Sequence, residues 1–391
     1  MAILLPSVSL VTMPVMGNPT GGVVVNGNVQ FRNPNANTLQ INQSSNLAII
    51  DWQDFSIAAG ETTQFIQPGT SAAVLNRVVT GNPSAIYGSL LANGNVFVVN
   101  PNGIVVGAGG VIDVGGSFVA STLDISNDDF LSGGPNRFYG DSQTGISNFG
   151  TISSANGDVI LLGGFVNNEG QIGALNGTVA LSSGGDILIS EGTGGSKVTV
   201  QGRSDYNGTG INNTGEIRGA SAELKAHGNV YALAINNGGA IRADGATRAN
   251  GRVRLSARGG SSNINLGDNS SITAMRGANG GDIEIDAGSE GDVTLGGAVN
   301  ASGQTQGGSV SVIGRNVDSR ADSSVSVDGL VNAGSIALDA VEKTTVSGSL
   351  TAEGTFGDGG QVDVMASEIS LSSTSSVSVN GYSQAGRIRV G

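Results

Sequence analysis

Cysteine is absent from all 391 residues, which excludes disulfides, thiolate nucleophiles and zinc clusters built on thiolates. Histidine occurs once, at His227, so a multi-histidine metal site is excluded and a Ser-His-Asp triad would depend on that one residue. Only 13% of residues are charged and only 4% are aromatic. The formal net charge of −13 would repel a phosphate backbone, which argues against nucleic acid as a partner. No segment after the first few residues approaches the roughly 20 consecutive apolar residues that a membrane helix needs. Residues 1–17 combine a short apolar stretch with small residues near Gly17 but lack a basic start, and read as a residual signal peptide.

What the chain does have is glycine, 65 residues of it, with Val, Ile, Ala, Ser and Asn between. The glycines follow no three-residue period, so collagen is excluded, and the regular apolar strands between them exclude a disordered low-complexity chain. Five segments begin with Gly and continue as an alternating strand: Gly281-Asp-Ile-Glu-Ile, Gly308-Ser-Val-Ser-Val, Gly334-Ser-Ile-Ala-Leu, Gly360-Gln-Val-Asp-Val and Gly386-Arg-Ile-Arg-Val. Their spacings are 27, 26, 26 and 26 residues. A second strand follows about 15 residues into the unit, at Ser323 and Ser375, and one position earlier at Gly348. Upstream, an apolar–x–Asn–x–Gly–x–Ile frame starts at Ile146, Val166, Ile211 and Ile235, with spacings of 20, 45 and 24 residues. The 45-residue gap reads as two units of about 22 residues.

Units of this length, made of short strands and tight bends, match single coils of a parallel β-solenoid. Leucine-rich repeats of similar length lack support because their Leu frame and any 3.6-residue period are missing. The expected fold is all-β: a single-stranded right-handed parallel β-helix with an N-terminal cap and small extra-helical strands. Strands stacked about 4.8 Å apart would align inward Val, Ile, Leu and Ala into ladders. Asn and Gly at equivalent bends would tolerate left-handed backbone, and buried Asn would bond to the neighbouring coil. Residues 22–25 and Phe31 are the candidates for covering the first coil's unpaired edge. Gly280-Gly281-Asp282 fails as a calcium-binding nonapeptide because Ile283 occupies the next required glycine.

Residues 18 to about 125 carry an ordered series of special groups. They are Asn18-Pro19-Thr20-Gly21-Gly22, Ile49-Ile-Asp-Trp52-Gln-Asp-Phe55, Leu75-Asn76-Arg77-Val78, Asn82-Pro83-Ser84, Asn100-Pro101-Asn102-Gly103 and Val119-Ala-Ser-Thr122. Taken in order, they resemble the filamentous haemagglutinin-type N-terminal secretion domain of two-partner secretion exoproteins. The likeness is closest over 18–150 and looser to 260, with regular repeats of a truncated stalk expected over 261–391.

That resemblance implies export to the periplasm of a Gram-negative-type cell. Recognition by a dedicated outer-membrane β-barrel transporter with POTRA domains follows, then folding at the cell surface. It also implies a large secreted or surface-exposed exoprotein of adhesin type that meets host or neighbouring-cell receptors or glycans, and no cofactor. It places the secretion and folding motif on Asn100, Pro101, Asn102 and Gly103, with Asn82, Pro83, Asn76, Arg77 and Trp52 as further candidates. The Asn-Pro-Asn-Leu element of part of the family is absent, and Asn82-Pro83-Ser84 fits the other branch. The residues alone give the motif a simpler role as a corner, with Pro fixing one φ and Asn and Gly accepting the bend. Trp52 reads as core or cap packing rather than a carbohydrate platform.

Two other functions are compatible with the fold. A self-associating matrix or cell-adhesion protein overlaps with the first reading. A β-helical polysaccharide lyase or hydrolase would need clustered carboxylates, and Asp128-Asp129, in what reads as a loop, is the one adjacent pair worth naming. No catalytic or metal site is expected.

Overall fold

A computed structural model describes residues 17–391 apart from 142, 193–194, 229–231, 246–250 and 261. The expected signal peptide therefore lies almost entirely outside the described residues. Strands stack into three parallel columns, a β-helix with a triangular section. The first column runs through Leu47–Trp52, Ala73–Val78, Asn95–Val99, Phe118–Ser121 and Val159–Gly163 and on to Arg387–Val390. The second runs through Ser84–Ile86, Ile104–Val106, Gly145–Asn148 and Phe165–Asn168. The third begins at Thr38–Gln43 and Thr62–Ile66.

Inward side chains form one continuous core of Val, Ile, Leu and Ala, with Trp52, Phe55, Phe65 and Phe118 near the N-terminal end. Each buried aliphatic side chain contributes about 1.5–3 kcal/mol, so stability accumulates coil by coil. Registered pairs give the coil length: Ile283, Val310, Ile336, Val362 and Ile388 face one another at steps of 27, 26, 26 and 26 residues. Gly308, Gly334, Gly360 and Gly386 stack at one bend, where a Cβ on each would sit 1.9–2.1 Å from the carbonyl oxygen of the glycine one coil below. These glycines are required by backbone contact rather than by unusual φ.

The first coil is capped as expected. Val23–Asn26 pairs antiparallel with Leu47–Trp52, and Val29–Asn35 pairs antiparallel with Thr38–Gln43. Added strands therefore occupy an edge that would otherwise be open.

Two expectations are corrected. Val166 pairs directly with Ile211, so the 45-residue gap is one coil carrying an insertion, not two units. The inserted chain forms Asp186–Gly192 and Gly195–Gly202, which join Asp124–Ile125 and Asn136–Tyr139 in a separate four-stranded antiparallel sheet. That sheet lies against the outer face of the first column and closes a second core with Leu75, Phe97, Val99, Phe130, Phe138, Ile160 and Ile187. Both excursions, 122–144 and 184–210, leave at the corner between the first and second columns.

Asn does not use the left-handed region: every described residue with positive φ is Gly. Its side chain does the work instead. Asn148 Nδ2 donates to Asn168 Oδ1 at 2.8 Å, Asn168 to Asn213 at 2.7 Å and Asn213 to Asn237 at 2.7 Å, all fully buried. A parallel outer ladder runs through Asn167, Asn212, Asn236 and Asn265.

Candidate functional site

The nine candidate residues share one place in the fold. Trp52, Asn76 and Arg77 lie at the end of first-column strands, while Asn82, Pro83 and residues 100–103 form the following corners. The corner at 100–103 lies directly beneath the point where the first excursion departs and returns.

Asn95–Val99 delivers Asn100 to the corner, and its backbone N–H still donates along the column to Ser121 O at 2.9 Å. The Asn100 side chain is completely buried. Its Nδ2 donates to Asn82 O and Ser84 Oγ, both at 2.9 Å, so it holds the corner of the previous coil. Its Oδ1 accepts from the backbone and side-chain nitrogens of Asn102 at 3.0 and 3.1 Å. Both donors and both acceptor sites of the amide are thereby used, which neither Asp nor Ala can reproduce.

Pro101 is exposed and supplies the fixed φ; its carbonyl accepts from Thr144 Oγ1 at 2.8 Å, where the excursion rejoins the coil. Asn102 Nδ2 reaches back to Thr80 O at 2.7 Å. Gly103 closes the turn through its N–H to Asn100 O at 3.1 Å, with φ of +108°, a conformation costly for any residue with a Cβ. Its own carbonyl accepts from Ser84 N at 3.0 Å. One tetrapeptide thus connects three successive coils.

Asn76 is fully buried in the column below. It accepts from Trp52 Nε1 at 3.0 Å and donates to Phe97 O at 3.1 Å. Trp52 is 2% exposed and meets Phe31 of the cap and Phe55 edge-on, at 5.4 and 5.7 Å. This is core and cap packing, in line with expectation.

Arg77 points outward and binds the excursion, through Nε to Asp124 Oδ1 at 2.9 Å, one terminal nitrogen to Asn127 Oδ1 at 2.9 Å and the other to Ile125 O at 2.6 Å. Asp51, its neighbour one coil down, lies 3.6 Å from one terminal nitrogen as a second carboxylate. Asn82 and Pro83 are exposed, and Asn82 takes part through its carbonyl.

Thr80, Ser84 and Thr144, none of them an expected site residue, complete the network. Ser84 directly follows Pro83, so a small hydroxyl after Asn-Pro was the available signal. Asp128 and Asp129 occupy not a loop but the first turn of a six-residue helix, Asn127–Ser132 (α1). Its N-cap Ser126 accepts from Asp129 N at 3.0 Å. A capping Ser followed by acidic residues is a helix start, and the two carboxylates there face a helix N-terminus.

The turns at 80–84 and 100–103 are tied by neutral amides and hydroxyls, suited to holding shape rather than moving protons. On the outer sheet, hydrogen bonds from Arg137 at 2.9 and 2.6 Å hold the Asp186 carboxyl below the ordinary range against slight burial. Among the described residues no group of three or more His, Cys, Asp or Glu side chains could hold a metal.

Comparisons with known proteins agree with the geometry. Residues 16–333 match the family model described as the TPS secretion domain. A heme/hemopexin-binding protein of Haemophilus influenzae strain Rd is 32% identical over 250 residues, 61% of this chain and 27% of that protein. A second protein of that name from Haemophilus influenzae is 40% identical over 99 residues, 25% of this chain and 11% of its own length. The chain thus spans about a quarter or less of the length of these curated relatives. The crystal structure of the HMW1 secretion domain from Haemophilus influenzae superposes with a TM-score of 0.71 at 26% identity, covering 95% of this chain and all of that one. The filamentous hemagglutinin secretion domain gives a TM-score of 0.45 at 13% identity over 93% of this chain and all of that one. A capped β-helix with an outer sheet anchored at the motif corner, matched over residues 16–333, places this chain in the TPS secretion domain family, the domain through which two-partner secretion exoproteins are exported.

Proposed function

We propose that the corner built by Asn76, Arg77, Asn82, Pro83 and residues 100–103 is the folding device of this secretion domain, and that it acts after the transporter has engaged the chain. TPS domains engage a cognate outer-membrane transporter. In our reading its periplasmic POTRA domains bind this chain before it folds, and the exported chain coils outside the cell. The burial of Asn100 supports this role. In the folded state a partner reaches Pro101 but not the amide that ties three coils together. The rest of the exoprotein then acts at the surface as an adhesin, on host or neighbouring-cell receptors or glycans. Among the described residues no helix is long and apolar enough to cross a membrane.

The test is co-expression with the cognate transporter in a Gram-negative host, beside refolding of the purified chain. Asn100→Ala removes four hydrogen bonds and leaves buried Ser84 Oγ without its donor, at about 1–3 kcal/mol for such a group, and should slow refolding and reduce secreted protein together. Pro101→Ala should leave both closer to the parent. If Asn100→Ala refolds at the parental rate yet is not exported, the transporter reads the motif directly and the folding role is wrong. Export that persists without the transporter would defeat the secretion reading altogether.

A further inference from the structure

The outer sheet leaves a groove of about 250 Å³ along its far edge, where strand Gly195–Gly202 runs beside the first column of the β-helix. Its walls come from three strands. Gly195–Gly202 supplies Lys197, Glu216–His227 supplies Lys225 and His227, and Arg252–Arg258 supplies Ser256 and Arg258. Lys225 lies opposite Ser256 and His227 opposite Arg258 in the parallel register, so the polar groups align along the helix axis. Val198, Thr199, Val200 and Ala226 complete the lining.

None of these nine residues is acidic, in a chain of net charge −13 with only 18 Lys and Arg. Three of those cations and the sole histidine converge here. Two of them are in ion pairs: Glu223 accepts from Lys225 at 2.7 Å, and buried Asp286 pairs with Arg258. Lys225 Nζ also donates to Val198 O at 2.7 Å, which fixes the width of the groove. Lys197 is exposed at the rim.

We propose that this groove binds an acidic polysaccharide, seating its sulfate or carboxylate groups against Lys197, His227 and Arg258. An extended polyanion fits better than an isolated ion, because the cations are spread over three strands along an open trough and not gathered around one point. Acidic surface elsewhere repels the same polymer and confines it to the groove. The inference rests on the secretion reading only in placing the domain where such polymers occur; binding itself is a property of the folded chain.

The test compares dextran sulfate with uncharged dextran on the purified chain, by calorimetry at low and at physiological salt. Dextran sulfate should bind, dextran should not, and affinity should fall steeply with salt. The double variant Lys197→Glu, Arg258→Glu should weaken binding at least tenfold, and His227→Ala should weaken it less. Lys343→Glu, a charge reversal on a distant coil, should leave it unchanged. Lys225 is spared because it also fastens the outer sheet. Equal binding of both dextrans, equal loss in the Lys343 variant, or full binding by the double variant would each overturn the site. These measurements need no transporter, so their failure is separable from failure of export.

Discussion

Two stretches of the same β-helix bury their strands differently. In the early coils, Ala73–Val78, Phe118–Ser121 and Val159–Gly163 are buried on both faces, because the outer sheet covers what the core does not. In the later coils, Ser309–Ser319 and Ser335–Val346 largely alternate between core and solvent. Continuous apolar runs therefore mark where a second layer lies, and alternation marks a bare wall. Coil length tells the same story. Paired residues are 41 and 45 apart across the two coils that carry excursions, 20 to 22 apart in three early first-column coils without one, and 26 apart in the later coils.

The largest effect is expected from breaking the bare-walled region through its only core. Val310→Asp with Val312→Asp places two carboxylates at positions 1% and 0% exposed, at a cost on the order of several kcal/mol per buried ion. The later coils should unfold while the early ones persist, visible as protease cleavage confined to that region, and secretion should stall. Loss of the whole chain at once would show that the two regions form one cooperative unit.

A smaller effect follows from the second core. Phe138 is fully buried between the outer sheet and the column, and Phe138→Ala should cost about 3–5 kcal/mol. Hydrogen exchange should rise across the outer sheet and leave the later coils protected. If the later coils lose protection as well, the outer sheet supports the whole helix.

The smallest effect is electrostatic and belongs to the later region. Burial pushes the Asp292 carboxyl up, but hydrogen bonds from Arg315 at 3.0 and 2.6 Å and from Asn316 at 2.8 Å outweigh it, holding it below the ordinary range. A depressed folded-state value contributes stability above the ordinary aspartate pKa of about 3.9, lost as pH falls through the lower folded value. The pair is partly exposed, so Asp292→Asn should cost less than about 1 kcal/mol at neutral pH. Urea midpoints followed from neutral to acid pH should converge for variant and parent at the acid end. A gap that widens with acid would contradict this sign.

Much of the wall was readable from the chain. The 26-residue step and the buried Asn ladder follow from spacing, because equivalent neighbours one coil apart call for similar residues, and the capping strands follow from the first coil's need to cover its edge. The excursions were not. Asp186–Gly192 and Gly195–Gly202 have the same alternating pattern as coil strands, and nothing local says that they pair with each other outside the helix. Arg77 shows the same limit. Its hydrogen-bond partners lie 47 to 50 positions on: two regular coils lead from Arg77 through Val99 to Ser121, and only the excursion that starts there brings Asp124, Ile125 and Asn127 back to it. The motif corner was visible as a bend, but its reach into the coils on either side depended on Ser84, which is marked only by the Asn-Pro before it, and on Thr80 and Thr144, which carry no signature of their own.

The stacked glycines at 308, 334, 360 and 386 have a genetic consequence. Because each coil rests on the next through bare backbone, the joint is the same at every level, and removing residues 334–359 would set Gly360 where Gly334 stood. Length is therefore a quantity that recombination can change in whole turns without redesigning the wall, whereas a residue gained or lost inside a strand would turn the rest of that strand to the wrong face, as one added at a bend need not.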